Sequence, residues 1–278
     1  MSLSKARSRL LQRLQHRNQR EREGCFVVEG IRAAAAALEA GANARFAVTS
    51  SRLVTLDRDN RLAEGLSRAR FDVVVIDDKD FAGLADTVTA QGILLVCDEP
   101  AATLESLLTG DEESEPAAAD SGAGAGILVA DAIQDPANLG SMIRTGAAFG
   151  LEGLIALDGT VDPWNAKVVR GSAGGCFRMN IVSATAEEFL DWVRNRRVTL
   201  LAAEADGRDI AAASFSTPWA LVVGNEGAGI RAELRDAAHE SVGVPIRAEA
   251  ESLNAGVAAA ILCYELSRAP AQRRLPPV

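Results

Sequence analysis

Apolar residues recur along this chain in short blocks, and the character of the blocks changes before and after a polar stretch in its middle. In the first part, β-rich runs at 25–28, 46–49, 71–76 and 93–97 alternate with helical stretches, which predicts a compact α/β domain of roughly a hundred residues. In the last part, near-continuous apolar runs at 127–130, 154–157, 179–182, 199–202, 220–223 and 241–244 are mostly separated by helical segments. Strands apolar on both faces belong to a mainly parallel sheet covered by helices on each side. Between the two parts, TGDEESEPAAADSGAGAG (109–126) has no apolar period and predicts a linker. The expected organisation is a small domain over 1–100, a linker over 101–126 and a larger α/β domain over 127–278. No internal repeat is visible.

Composition narrows the classes. The 278 residues suit two domains, and 48% hydrophobic with only 4% aromatic indicates cores of Ala, Val, Leu and Ile. No run approaches the ~18 apolar residues a membrane helix requires. The arginine-studded N-terminus lacks the apolar segment of a secretory signal, so a cytoplasmic location is expected. Cys25, Cys97, Cys176 and Cys263 are far apart and form no C-x-x-C pair, so they read as small buried hydrophobes in a reducing compartment. With His16 and His239 as the only histidines, neither a zinc site nor a histidine triad is expected.

A net charge of −9 at first argues against a nucleic-acid partner, but its distribution reverses that reading. Eight acidic residues between Asp98 and Asp120, with no base among them, leave the remainder of the chain at −1. The first 32 residues carry +5, with Arg7, Arg9, Arg13 and Arg17 spread along a helical stretch. Such a basic opening is the footprint of an RNA-contacting arm, although a solvated helix face has the same composition.

Ligands of parallel sheets bind beyond the carboxyl ends of the strands, and three segments there carry candidate chemistry. In ILVADAIQDPANLGSMIRTGAAFG (127–150), Asp135 and Pro136 turn the chain, Asn138 is expected to cap a helix, and Arg144 falls among Met142, Ile143 and Ala147. An arginine near a buried face needs an anion, so Arg144 predicts a phosphate or carboxylate partner. WALVVGNEGAGI (219–230) is a buried strand emptying into a glycine turn. Gly224, Gly227 and Gly229 would let the backbone approach a ligand, and Glu226 would accept from a ligand hydroxyl or pair with Arg144. Its G-x-x-G-x-G spacing is not the dinucleotide fingerprint. In VPIRAEAESLNAGVAAAILCYELSR (244–268), Ser252 is expected to cap a long helix packed through Val257, Ile261 and Leu262. Asn254 gains nothing from packing in such a helix, which points to a functional role.

QDPANLGSMIRTGAAFG, LVVGNEGAGI and VPIRAEAESLNAGVAAAIL, in this order, resemble the SpoU (TrmH) family of RNA 2'-O-ribose methyltransferases. The N-terminal SKARSRLLQRLQHRNQREREGCFVVEGIRAAAAAL is similar to the L30e-like substrate-binding domain that many members carry. The resemblance implies a C-terminal trefoil-knotted, SPOUT-type methyltransferase domain binding S-adenosylmethionine, and a homodimer built around the knot. By the same resemblance, Asn138, Arg144, Glu226, Ser252 and Asn254 are the catalytic set, and Gly224, Val244 and Leu253 hold the cofactor. One departure stands out: the family reads S-L-N-V-S where this chain has Ser252-Leu253-Asn254-Ala255-Gly256.

Methyl transfer to a ribose hydroxyl is an in-line displacement that requires alignment and loss of a proton. A guanidinium is a poor proton acceptor, so Arg144 is expected to position phosphate and offset alkoxide charge, with Glu226 the second candidate for the proton. The substrate class is expected to be RNA, ribosomal in preference to transfer RNA. Two other classes share parts of the pattern: an RNA-binding protein of this fold without catalysis, and a nicotinamide-dependent oxidoreductase.

Overall fold

The computed structural model describes residues 3–268 other than 58, 60, 109–125, 214, 216, 248 and 251. Its elements follow in chain order as α1 Lys5–Arg13, α2 Arg17–Glu23, β1 Cys25–Glu29, α3 Ile31–Glu39, β2 Ala44–Thr49, α4 Ser51–Leu56, α5 Arg61–Ser67, β3 Asp72–Val75, α6 Asp78–Ala82 and β4 Ile93–Asp98. After the undescribed segment come β5 Gly126–Ala130, α7 Pro136–Ala148, β6 Gly153–Leu157, α8 Ala166–Gly171, β7 Asn180–Ala184, α9 Ala186–Arg196, β8 Thr199–Asp209, β9 Trp219–Val223, α10 Ala232–Ala237, β10 Glu240–Gly243 and α11 Ala255–Ser267. Two compact units result: Met1–Ala101 with Asp162–Arg178, and Ala102–Val161 with Met179–Val278.

The first unit is built on a sheet of order β1-β4-β2-β3, antiparallel except for the β2–β3 pair. Its core gathers Leu11, Leu14, Phe46, Val48, Phe81, Leu94 and Val96. Two buried ionic groups join residues 162–178 to it, a segment the sequence pattern assigns to the C-terminal domain. Arg20 donates to Asp162 at 2.6 Å and to the Leu14 carbonyl at 2.7 Å. Glu29 accepts from the Asp86 and Thr87 amides and lies 3.5 Å from Arg170. The rings of Trp164 and Phe26 lie 4.6 Å apart, tilted by 34°. Periodicity cannot reveal such an excursion, because the segment's partners are 84 to 142 residues away in sequence.

The second unit has a six-stranded parallel sheet of order β10-β8-β9-β5-β6-β7. Strands β5, β6 and β9 are buried at every position, as their unbroken apolar runs predict. The expected linker 101–126 is shorter than its composition suggests: Leu107 is fully buried in this unit's core and Gly126 opens β5. The acidic remainder, 109–125, lies outside the described residues.

Three local expectations are corrected. Helix α7 is capped by Asp135, which accepts from the Ala137 amide at 2.8 Å, because Pro136 fixes the first helical position; Asn138 therefore falls inside the first turn, buried. Helix α11 is capped by Asn254 instead of Ser252: its Oδ1 accepts from the amides of Gly256 at 3.0 Å and Val257 at 3.2 Å. On α11, Leu262 packs inward with Ala259 and Leu266, whereas Val257 and Ile261 are exposed and form a stripe with Tyr264 at helical spacing.

The Arg20–Asp162 pair is almost wholly buried, so deleting one partner strands a charge. Arg20→Ala is expected to destabilise the protein by about 3–5 kcal/mol in urea unfolding followed by circular dichroism. Arg17→Ala, which removes an exposed i,i+4 pair with Glu21, should cost no more than about 0.5 kcal/mol.

Candidate active site

A cleft of about 470 Å³ opens beyond the carboxyl ends of β8, β9 and β10. It exists because β8 leaves its ladder. Pairing with β10 holds at Leu201 and Ala202, then resumes at Arg208 and Asp209, so residues 203–207 leave the ladder and 203–206 form one wall. The excursion passes β10 closely. A Cβ on Gly207 would lie 2.5 Å from the Val242 carbonyl carbon, and one on Gly243 would lie 2.6 Å from the Glu204 carbonyl oxygen. Only glycine permits backbones to cross at that distance.

The other walls are the turn after β9, the segment after β10 with Val244 and Ile246, and the entrance to α11 with Ser252, Leu253 and Asn254. Three stretches that the sequence left far apart thus meet at one site. A chain of side-chain hydrogen bonds joins them: Asn138 Nδ2 donates to Glu226 Oε1 at 2.5 Å, and Asn254 Nδ2 donates to Asn138 Oδ1 at 2.9 Å. Asn138 does not line the cleft, but it holds two residues that do.

The β9 turn is pinned internally and externally. Asn225 Oδ1 accepts from the amides of Gly227 and Ala228, and its Nδ2 donates to the Ala132 carbonyl, each at 2.9 Å. At Gly224 a Cβ would come within 2.4 Å of the Gly229 carbonyl carbon, so the turn closes on itself only with glycine there. At the far end stands Arg231, the N-cap residue of α10. Its backbone amide and Nε bind the buried Asp131 at 2.8 and 2.6 Å, and its guanidinium reaches the Asp158 carboxylate at 2.9 Å. Burial would favour the neutral acid at Asp158, but the Arg231 hydrogen bond and charge outweigh it and hold the carboxyl below its usual value. The signal available beforehand was two aspartates at strand ends, Asp131 and Asp158, without nearby bases in sequence.

The cleft therefore gathers Gly224, Glu226, Val244, Ser252, Leu253 and Asn254 of the expected set. Arg144 does not line it. It is exposed on α7, without an ion-pair partner among the described residues, and the alternative of pairing with Glu226 is not realised. Within the departure at Ala255-Gly256, a Cβ on Gly256 would sit 3.3 Å from Ser141 Cβ, a tight contact between α11 and α7; nothing in the structure explains Ala255. Among the N-terminal arginines, Arg7 pairs with Asp72, Arg13 with Glu23 at 3.1 Å and Arg17 with Glu21 at 2.8 Å; Arg9 is exposed and has no such partner among the described residues. No metal-holding cluster of His, Cys, Asp and Glu occurs among the described residues.

Arg231→Ala is expected to speed hydrogen exchange of the 224–230 amides by at least about tenfold, because the turn loses its outer anchor. For Asp158→Asn the sign follows from the depressed carboxyl: its contribution is present above the ordinary value of about 3.9 and disappears as pH falls through the folded-state value. The stability gap between wild type and Asp158→Asn, measured by urea unfolding, should therefore close in acid.

Comparison with known proteins agrees with this geometry. Residues 125–264 match the SpoU rRNA Methylase family, and residues 6–95 match the MRM3-like substrate binding domain. The 23S rRNA (guanosine(2553)-2'-O)-methyltransferase RlmP of Bacillus subtilis is 35% identical over 193 residues, covering 69% of this chain and 71% of that one. Among solved structures, the SpoU methyltransferase AviRb from Streptomyces viridochromogenes in complex with AdoMet superposes with a TM-score of 0.78 at 28% identity, over 95% of this chain and 98% of its own. The AdoMet-bound rRNA methyltransferase from Sinorhizobium meliloti does so with a TM-score of 0.80 at 25% identity, over 96% of each chain. With half of its length matched by the family and a relative of this identity and coverage, the chain belongs to the SpoU rRNA methylase family.

Proposed function

We propose that this protein transfers the methyl group of S-adenosylmethionine to a ribose 2'-hydroxyl of ribosomal RNA. The observation that carries the reading is the hydrogen-bonded chain Glu226–Asn138–Asn254 at a cleft lined by Gly224, Val244 and Leu253. The lining suits the cofactor's chemistry: Val244, Ile246, Leu253 and Leu262 offer apolar surface for an adenine. The carboxylates Glu204, Asp206 and Glu226, with Arg235 already bound to Glu204 at 3.1 Å, favour a cation. The cofactor supplies an electrophilic methyl on a sulfonium. Two relatives' structures are described as AdoMet-bound, and RlmP is named for methylation of 23S rRNA, which supports both halves of the reading.

The protein's own tasks are alignment and charge management. Glu226, held by Asn138, keeps an oxygen at the cleft that accepts from a hydroxyl. Arg144, exposed and unpaired among the described residues, has its guanidinium free for an RNA phosphate and for the charge that develops on the ribose oxygen. The match of residues 125–264 to the SpoU rRNA Methylase family supports a trefoil-knotted domain. The exposed stripe of Val257, Ile261 and Tyr264 on α11 supports a homodimer through that domain. A ribosomal substrate supports a cytoplasmic location; no described helix is long and apolar enough to cross a membrane.

The test uses tritiated S-adenosylmethionine and deproteinised ribosomal RNA, with ribose methylation mapped on the product. Arg144→Ala and Arg144→Lys should each lose transfer by about 100-fold or more while still binding the cofactor. Near-full rates in both would remove Arg144 from the mechanism, and wild-type protein that leaves no methyl on ribose would favour an RNA-binding protein without catalysis.

A further inference from the structure

The sheet of the first unit ends on β1 at one side and on β3 at the other, and the two edges are finished differently. β1 is buried along most of its length and has α8 against it. β3 has no such cover: Asp72, Val73 and Val75 are exposed, and Val74 is half-buried. An edge strand presents unpaired main-chain donors and acceptors, and it is ordinarily blunted by lysine, proline, a bulge or a covering element. β3 has none of these, and it pairs with β2 in unbroken register from Asp72 to Val75.

The side chains add an apolar patch to the open edge. Val74 packs against the core of the unit, so strand alternation sends Val73 and Val75 together to the other face, where they are 37% and 57% exposed. Helix α4 is tied to Asp78, just beyond the strand, through the Ser51 hydroxyl at 2.8 Å, and it carries the exposed Val54 and Leu56.

The charges flanking the strand have an order. Arg68 and Arg70 precede it and Asp77, Asp78 and Asp80 follow it, all of them exposed. The edge is therefore basic at its amino end and acidic at its carboxyl end. A parallel copy would set like charges side by side, whereas an antiparallel copy sets opposite ones together. With the two strands centred on Val74, Val73 of one copy faces Val75 of the other, Arg70 falls at the level of Asp78 and Arg68 at the level of Asp80. No like charges meet in that register. A surface that complements itself under a two-fold axis is what an isologous contact requires.

We infer that the β3 edge is an interface between two copies of this chain, made by antiparallel pairing of β3 with β3. It is separate from the α11 stripe and does not depend on the chemistry of the cleft. Four residues offer few ladder bonds, so the association is weak and develops at high protein concentration. An extended segment of another protein is the competing occupant; the charge order, matched to itself in register with the valines, favours the second copy.

The test is sedimentation velocity of the full-length chain at increasing concentration. The weight-average mass is expected to rise about twofold or more between about 1 and 200 µM. Val75→Lys places a charge within the pairing and Arg70→Asp reverses the amino end, both at exposed positions. Each should weaken the association about tenfold or more at unchanged melting temperature. Hydrogen exchange of the 72–76 amides should slow with concentration in the wild type and stay constant in Val75→Lys. A wild-type mass that stays constant over this range, or a rise that either variant leaves intact, overturns the interface, including the case in which another protein occupies the edge.

Discussion

Asn138 holds the site together by being an amide. It must donate to a carboxylate on one side and accept from another amide on the other, across sequence separations of 88 and 116 residues. No other small side chain does both. An aspartate would face Glu226 with like charge, a serine would be too short to span both, and a leucine would leave two polar groups without partners. The cleft then inherits its geometry from this joint: Glu226 is fixed in the β9 turn, and Asn254 both closes the joint and caps α11.

Around the joint, stiffness comes from backbone and ions more than from apolar packing. Gly207, Gly224 and Gly243 occupy places where a methyl group would strike main-chain atoms, so these contacts cannot be relaxed by a rotamer change. Arg231 clamps the end of the turn to Asp131 and Asp158, at the ends of β5 and β6. A ligand entering the cleft meets a surface set before it arrives, and preorganisation of that kind is what alignment of a hydroxyl with a methyl donor requires.

Much of this was legible in the sequence. Near-continuous apolar runs marked each strand of the parallel sheet, although β8 continues seven residues past its run; two of the three segments bearing polar residues line the cleft, and the first reaches it through the hydrogen bonds of Asn138. What pattern reasoning missed has physical reasons. Capping roles at Asn138 and Ser252 were misassigned because a cap depends on where the chain enters the helix, which is Pro136 for α7 and Ala255 for α11. Val257 and Ile261 read as core because hydrophobicity alone cannot separate a face packed within the chain from one left exposed. The 203–207 excursion is invisible to periodicity, as are the buried Arg20–Asp162 pair and the Arg231 clamp, because each is defined by partners distant in sequence.

The site requires the three segments to act as one unit through Asn138. A double-mutant cycle with Asn138→Ala and Glu226→Ala, read as the single-turnover rate of methyl transfer to ribosomal RNA, measures this directly. The two losses should overlap by at least about 1 kcal/mol, with the double variant little worse than the poorer single one. Losses that add to within about 0.5 kcal/mol would mean the two residues act separately, contradicting the joint on which the site is built.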